Sequence, residues 1–179
     1  MVTKKALPIV EQKNLKLYLS DFKNVLPLKN IQTVIVDPPY NINFNYGKNY
    51  KDNMNPDEYK KLMYDVLNLS FRSTKKDSSM FLINYPEIIA ELFQTIKLTD
   101  WRIHQWISWV YPSNIGHSKR KFTTAQRSIL WLTKEEPKIY IDRVSQPYKN
   151  PTDRRVKKLI ESGKTGTNLY NWWEINLVK

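Results

Sequence analysis

The stretch Ile31-Gln32-Thr33-Val34-Ile35-Val36-Asp37-Pro38-Pro39-Tyr40 decides how the rest of the chain reads. Its first part, Ile31 to Val36, is apolar and largely β-branched, which predicts a buried strand. An acid, two prolines and an aromatic ring stand at the strand exit. In α/β proteins the chemistry gathers beyond the carboxyl ends of strands. Consecutive prolines fix φ near about −65° and donate no backbone N–H, so the groups around them are held outward with little freedom to collapse. Asp37 to Tyr40 is therefore expected to form a rigid platform.

Upstream, 15–19 alternates as a short strand and Ser20-Asp21 follows at a turn. Downstream, 41–53 is rich in Asn, has no period and reads as a mobile loop carrying Phe44, Tyr46 and Tyr50. Asn55-Pro56-Asp57-Glu58 then supplies an N-cap, a proline at the first helical position and an acid at the third. Tyr59, Leu62, Met63, Val66 and Leu67 give that helix one apolar face. Residues 79–85 read as a second buried strand, and Pro86 opens a helix with the stripe Ile88, Ile89, Leu92, Phe93 and Ile96. Residues 101–110, 128–132 and 138–141 are strand-like. This order predicts an α/β fold with a mixed sheet and an antiparallel element late in it. Trp101, Trp106, Trp109, Trp131, Trp172 and Trp173 are expected as core residues of strands.

With 179 residues, 41% of them hydrophobic and 13% aromatic, the chain has the material for one globular core and is not a disordered segment. The absence of cysteine excludes disulfides, thiolate nucleophiles and thiolate metal sites, and two histidines make a weak case for any metal. No run approaches the roughly 20 apolar residues of a membrane span, and the N-terminus lacks the apolar stretch of a secretory signal. A soluble, bacterial-type cytoplasmic protein with no metal and no membrane partner is the expectation. Against 17 acidic residues stand 29 Lys and Arg, a net charge of +12, which points to a polyanionic partner. The charge is clustered: Lys119-Arg120-Lys121 sit in the 110–127 loop, and Arg143, Lys149, Arg154, Arg155, Lys157, Lys158 and Lys164 face only Asp153 and Glu161. For the second cluster a solvated helix face and a row of phosphate contacts both remain open.

Asp37-Pro38-Pro39-Tyr40-Asn41 at a strand end, Asp21 at a turn upstream, the strand Trp106-Ile107-Ser108-Trp109, the strand 129–134 and the basic loops together resemble the β group of amino-methyltransferases that act on DNA, the adenine-N6 enzymes above all. The resemblance implies a Rossmann-like S-adenosylmethionine-dependent methyltransferase fold. It implies methyl transfer to adenine N6 in duplex DNA after base flipping, as in restriction–modification. Asp37 and the Pro38 carbonyl would accept the amine N–H bonds, with Pro39 stiffening the turn and Tyr40 offering a π-face to the flipped base. Asp37 also borders the cofactor, and Asp21 matches the acid that bonds its adenine amine; a plain turn or helix cap is the competing reading of Asp21. Lys119, Arg120, Lys121, Arg154, Arg155, Lys157 and Lys158 are the implied DNA contacts. In cytosine-N4 enzymes the first platform residue is more often Ser, so Asp37 argues for adenine. The implied organisation is a platform part over 1–142, a target-recognition segment over 143–170, and the start of a following strand or cofactor-binding region over 171–179.

The pattern breaks at one motif. Members of the group carry a Phe-x-Gly-x-Gly turn whose glycines admit the methionine part of the cofactor. The glycines here, Gly47, Gly116, Gly163 and Gly166, never pair in that way. An incomplete fold with an exposed sheet edge is therefore expected, completed by a complementary subunit or by self-association. A split gene product, a truncated remnant and a piece of a longer polypeptide are the alternatives; a catalytically inactive nucleic-acid-binding remnant is the competing function.

Overall fold

The computed structural model describes residues 5–45, 47, 52–112, 116, 119–141 and 144–176. A hairpin of β1 (Val10–Gln12) and β2 (Leu15–Leu17) leads into the short helix α1 (Phe22–Val25). The main sheet contains β3 (Ile31–Val36), β4 (Thr74–Asn84), β5 (Arg102–Val110), β6 (Gln126–Thr133) and β9 (Trp172–Glu174), in the order β3-β4-β6-β5-β9. β3 runs parallel to β4 and β9 parallel to β5, while β6 is antiparallel to both of its neighbours. The antiparallel element expected late in the sheet is thus β6.

α2 (Pro56–Ser73) and α3 (Pro86–Lys97) cover one face. The start of α2 is made by Asn55, whose side chain accepts from the N–H groups of Asp57 and Glu58 at 3.1 and 2.9 Å. Pro56 then occupies a position where no N–H is needed. Strand alternation sends Met80 and Leu82 of β4 and Leu130 and Leu132 of β6 toward the helices, where they bury completely with Met63, Leu67 and Ile89. The opposite face carries Phe81, Ile107, Ile129 and Trp131, and a cavity of about 300 Å³ opens there against Ile139 and Ile141.

Four expectations need correction. β3 is an edge strand rather than a buried one, and Ile35 on the open face is 71% exposed because only β4 flanks it among the described residues. Residues 138–141 do not form a strand. Lys138 donates its N–H to the Asp77 carbonyl at 3.0 Å and pairs its ammonium with the Asp77 carboxylate at 2.8 Å, but no ladder with the sheet follows from that bond. Trp172 is 46% exposed on the short edge strand β9, stacked on Tyr170 below Lys149, and Trp101 is buried just before β5 rather than in it. The described part of the 41–53 loop is held by hydrogen bonds, set out below.

Beyond the main sheet, β7 (Ser145–Gln146) pairs antiparallel with β8 (Thr167–Asn168), and α4 (Arg154–Glu161) lies between them in sequence. Gly166 makes this pairing possible: a Cβ there would sit 2.1 Å from the Gln146 carbonyl oxygen. No helix among the described residues is long and apolar enough to cross a membrane.

Candidate active site at the end of the sheet

Strand direction decides what meets at the platform. Because β3 and β4 are parallel and β6 opposes both β4 and β5, the carboxyl ends of β3, β4 and β5 and the amino end of β6 lie at the same end of the sheet. Asp37 to Tyr40 follow β3, Tyr85 follows β4, Tyr111 follows β5, and Arg127 is the second residue of β6. The Tyr40 hydroxyl donates to Asp37 Oδ1 at 2.6 Å, and the Tyr40 and Tyr85 rings meet edge to face with centroids 5.3 Å apart. The Arg127 guanidinium lies 3.7 Å from the Tyr85 ring centroid, 5.1 Å from that of Tyr40 and 5.2 Å from that of Tyr111. It also donates to the hydroxyl of the fully buried Tyr111.

A buried chain of polar groups holds the platform from below. Asn84, at the end of β4 and fully buried, donates to the Tyr59 hydroxyl at 3.0 Å, and Tyr59 donates to the Pro39 carbonyl at 2.8 Å. Pro38 is itself buried, while Asp37 stays open to solvent. The turn after the platform is fixed by Asp52, only 2% exposed, whose carboxylate accepts from the N–H groups of Asn41, Ile42 and Phe44 at 2.8, 3.1 and 2.9 Å. Asn41 and Asn43 take φ of 56° and 61°, the left-handed region that Asn tolerates best after Gly. Asn41 also clamps Met54, accepting from its N–H at 2.7 Å and donating to its carbonyl at 3.0 Å.

Burial, reinforced by the hydrogen bond to Asp37, pushes the Tyr40 phenol well above its ordinary value. Burial raises Tyr111 as well. Both phenols therefore stay protonated at neutral pH and act as donors. The result is an open carboxylate whose direction is set by a tyrosine, next to an aromatic wall with a cation in it. Such a site can accept N–H bonds and stack a planar ring.

The implied site residues distribute unevenly. Asp37, Pro38, Pro39 and Tyr40 are contiguous, and the exposed triplet Lys119, Arg120 and Lys121 lies in the β5–β6 connection, which leaves the sheet at the platform end. Arg154, Arg155, Lys157 and Lys158 are exposed along α4, in the separate unit of β7 and β8. Asp21 caps α1, accepting from the Lys23 N–H at 2.8 Å. Phe44 is 57% exposed; Tyr46 and Tyr50 lie outside the described residues. Asp52, Tyr59, Asn84, Tyr85, Tyr111 and Arg127 escape a reading of the sequence. Their partners stand 8 to 25 residues away or across strands, and only the run of asparagines after Tyr40 hints at a turn that needs an acid. For S-adenosylmethionine the fit is partial. Acceptors are present at Asp37 and Asp21, but no described glycine offers a cradle: the position a Cβ would take faces Gln146 at Gly166, Thr123 at Gly116, and open space at Gly47 and Gly163.

Residues 31–179 match the family model described as DNA methylase, that of the N6 and N4 methyltransferases. The chain belongs to this family. Among the DNA methylases it is 28% identical over 144 residues to the type II methyltransferase M1.MboII of Moraxella bovis, a match covering 80% of this chain and 54% of that protein. It is 27% identical to M.HpaI of Haemophilus parainfluenzae (83% and 46%) and 29% identical to M.BglII of Bacillus subtilis (79% and 42%). The chain thus spans about half the length of the curated relatives it matches. Its fold is that of the PvuII DNA methyltransferase (cytosine-N4-specific), with a TM-score of 0.65 at 16% identity over 98% of this chain and 61% of that one. This likeness shows that the mixed sheet has the same fold.

Proposed function

We propose that the chain presents the target base in an S-adenosylmethionine-dependent DNA methyltransferase of restriction–modification type, with adenine N6 as the acceptor. The observation that carries this reading is the Asp37 carboxylate, exposed at the exit of β3 and oriented by the 2.6 Å hydrogen bond from Tyr40. An adenine amine is a poor nucleophile because its lone pair is delocalised into the ring. Asp37 and the Pro38 carbonyl accept its two N–H bonds and draw it out of plane, and the tyrosine wall replaces the stacking that a flipped base loses. S-adenosylmethionine supplies the methyl group as a sulfonium. Asp21 and Asp37 would hold its polar groups, while no described glycine lines a wall for its methionine part. PvuII methyltransferase acts on cytosine N4 by its name, and the acid at position 37 is what favours adenine here.

DNA contact is assigned to Lys119, Arg120 and Lys121 at the platform end and to Arg154, Arg155, Lys157 and Lys158 of the 143–170 target-recognition segment. The platform part is then 1–142, and 171–179 leads toward the cofactor region. A complementary polypeptide, or a second copy of this chain, covers the free edge of β3 and the open sheet face. The exposed Ile35 supports such a cover.

The test is transfer of labelled methyl to duplex DNA by this chain together with the polypeptide encoded next to it. Transfer to adenine that Asp37→Ala reduces by at least about a hundredfold is expected. Transfer that survives the substitution sinks the assignment. The glycine-poor sequence favours one rival, an inactive DNA-binding remnant. Calorimetry showing no S-adenosylmethionine binding, with or without the neighbouring polypeptide, would sink the enzymatic reading of this chain.

A further inference from the structure

Among the described residues, Arg127 is the one cation built into the aromatic wall. It stacks 3.7 Å from the Tyr85 centroid, stands about equally far from the Tyr40 and Tyr111 rings at 5.1 and 5.2 Å, and donates inward to the Tyr111 hydroxyl. Through these contacts a residue of β6 joins the ends of β3, β4 and β5. In a protein of charge +12 an arginine beside a DNA site would ordinarily be read as a phosphate contact. Its setting argues otherwise, because phosphate-binding arginines point outward from the surface, whereas this guanidinium is partly buried among rings and spends a donor on a fully buried hydroxyl.

We propose that Arg127 is a positioning residue: it fixes the Tyr40 ring and, through the Tyr40 hydroxyl, the direction of the Asp37 carboxylate. The methyl-transfer reading above gives this role its purpose; the geometry of the cluster carries it. With Oδ1 held by Tyr40 at 2.6 Å, Oδ2 is left facing a defined direction for the incoming amine, and no described protein group donates to it. A flat guanidinium can lie on one ring and border two others at once, which a lysine ammonium cannot reproduce. Small displacements of a group that aligns a nucleophile act on rate more than on affinity.

The experiment compares Arg127→Met, Arg127→Lys and Tyr85→Leu, the last removing the ring beneath the guanidinium while leaving the charge. In the chain labelled with 3-fluorotyrosine, with the Tyr40 signal assigned through Tyr40→Phe, ¹⁹F NMR should show that signal displaced in all three variants while far-UV circular dichroism stays that of the parent. A Tyr40 signal unmoved in folded Arg127→Met or Tyr85→Leu overturns the proposal. In the preparation that transfers methyl, Arg127→Met should lower kcat by about tenfold or more, with KM for DNA and the salt dependence of binding nearly unchanged. A loss of about 0.9 in the slope of log affinity against log salt, with kcat intact, makes Arg127 a phosphate contact and overturns the proposal equally. Parent protein that transfers no methyl even together with the neighbouring polypeptide defeats the proposed function alone, and the NMR comparison still decides the role of Arg127.

Discussion

Asp52 carries more of the site's order than its anonymous place in an Asn-rich loop suggests. A carboxylate at 2% exposure survives there because three backbone N–H groups solvate it in place of water. Asp52→Ala leaves those donors without an acceptor, and urea unfolding should show a loss of about 2 to 3 kcal/mol, with Asp52→Asn milder because its amide keeps one acceptor. Tyr40 supplies a prediction in pH. Its folded-state value lies above 10.0, so the unfolded chain loses this proton first as pH rises. The contribution is therefore complete below about pH 10 and is lost above it, and denaturation midpoints compared at about pH 8 and about pH 11 should fall less in Tyr40→Phe than in the parent. At this scale the sequence exposed Asp37 and Tyr40, whose chemistry is visible in their own residue types. It concealed Asp52, Asn84 and Arg127, whose roles exist only through partners far along the chain.

Among the elements, the helices were the most legible because their signals are local. Asn55-Pro56 and Pro86 start α2 and α3 where read, and the apolar stripes at helical spacing are the faces that bury. The far end of α2 uses a device with no local signal. Lys134, after β6, donates its ammonium to the carbonyls of Phe71 and Thr74 at 2.7 and 2.8 Å and lies 3.9 Å from the Phe71 ring centroid. A cation there adds a charge-assisted bond to the Phe71 carbonyl, which also accepts from the Thr74 N–H and hydroxyl, and complements the helix dipole. Lys134→Met should lower stability by about 1 to 2 kcal/mol, read as a lower thermal midpoint with unchanged far-UV circular dichroism. The segment 138–141 shows the opposite case. Its β-branched residues read as a strand, yet a strand also requires a continuing ladder of backbone bonds, and the segment is tied to the sheet through the single Lys138–Asp77 bond instead.

For the molecule as a whole, two stretches concentrate basic residues at exposed positions, the triplet at the platform end and the row on α4. If α4 lies on DNA, replacing Arg154, Arg155, Lys157 and Lys158 by Gln should flatten the salt dependence of duplex affinity by about 0.9 per lost phosphate contact, read by fluorescence anisotropy across a salt series. An unchanged slope would return α4 to a merely solvated helix. Sequence alone determined the α/β order, the helix starts, the platform and the family, since caps, periodicity and a contiguous motif are properties of neighbouring residues. Tertiary structure alone decided that β3 is an edge, that 138–141 stays outside the sheet, and that three tyrosines from three strand ends close around Arg127. Strand order and direction set the edge and the cluster, and both depend on pairings between segments far apart in the chain, which no single segment encodes.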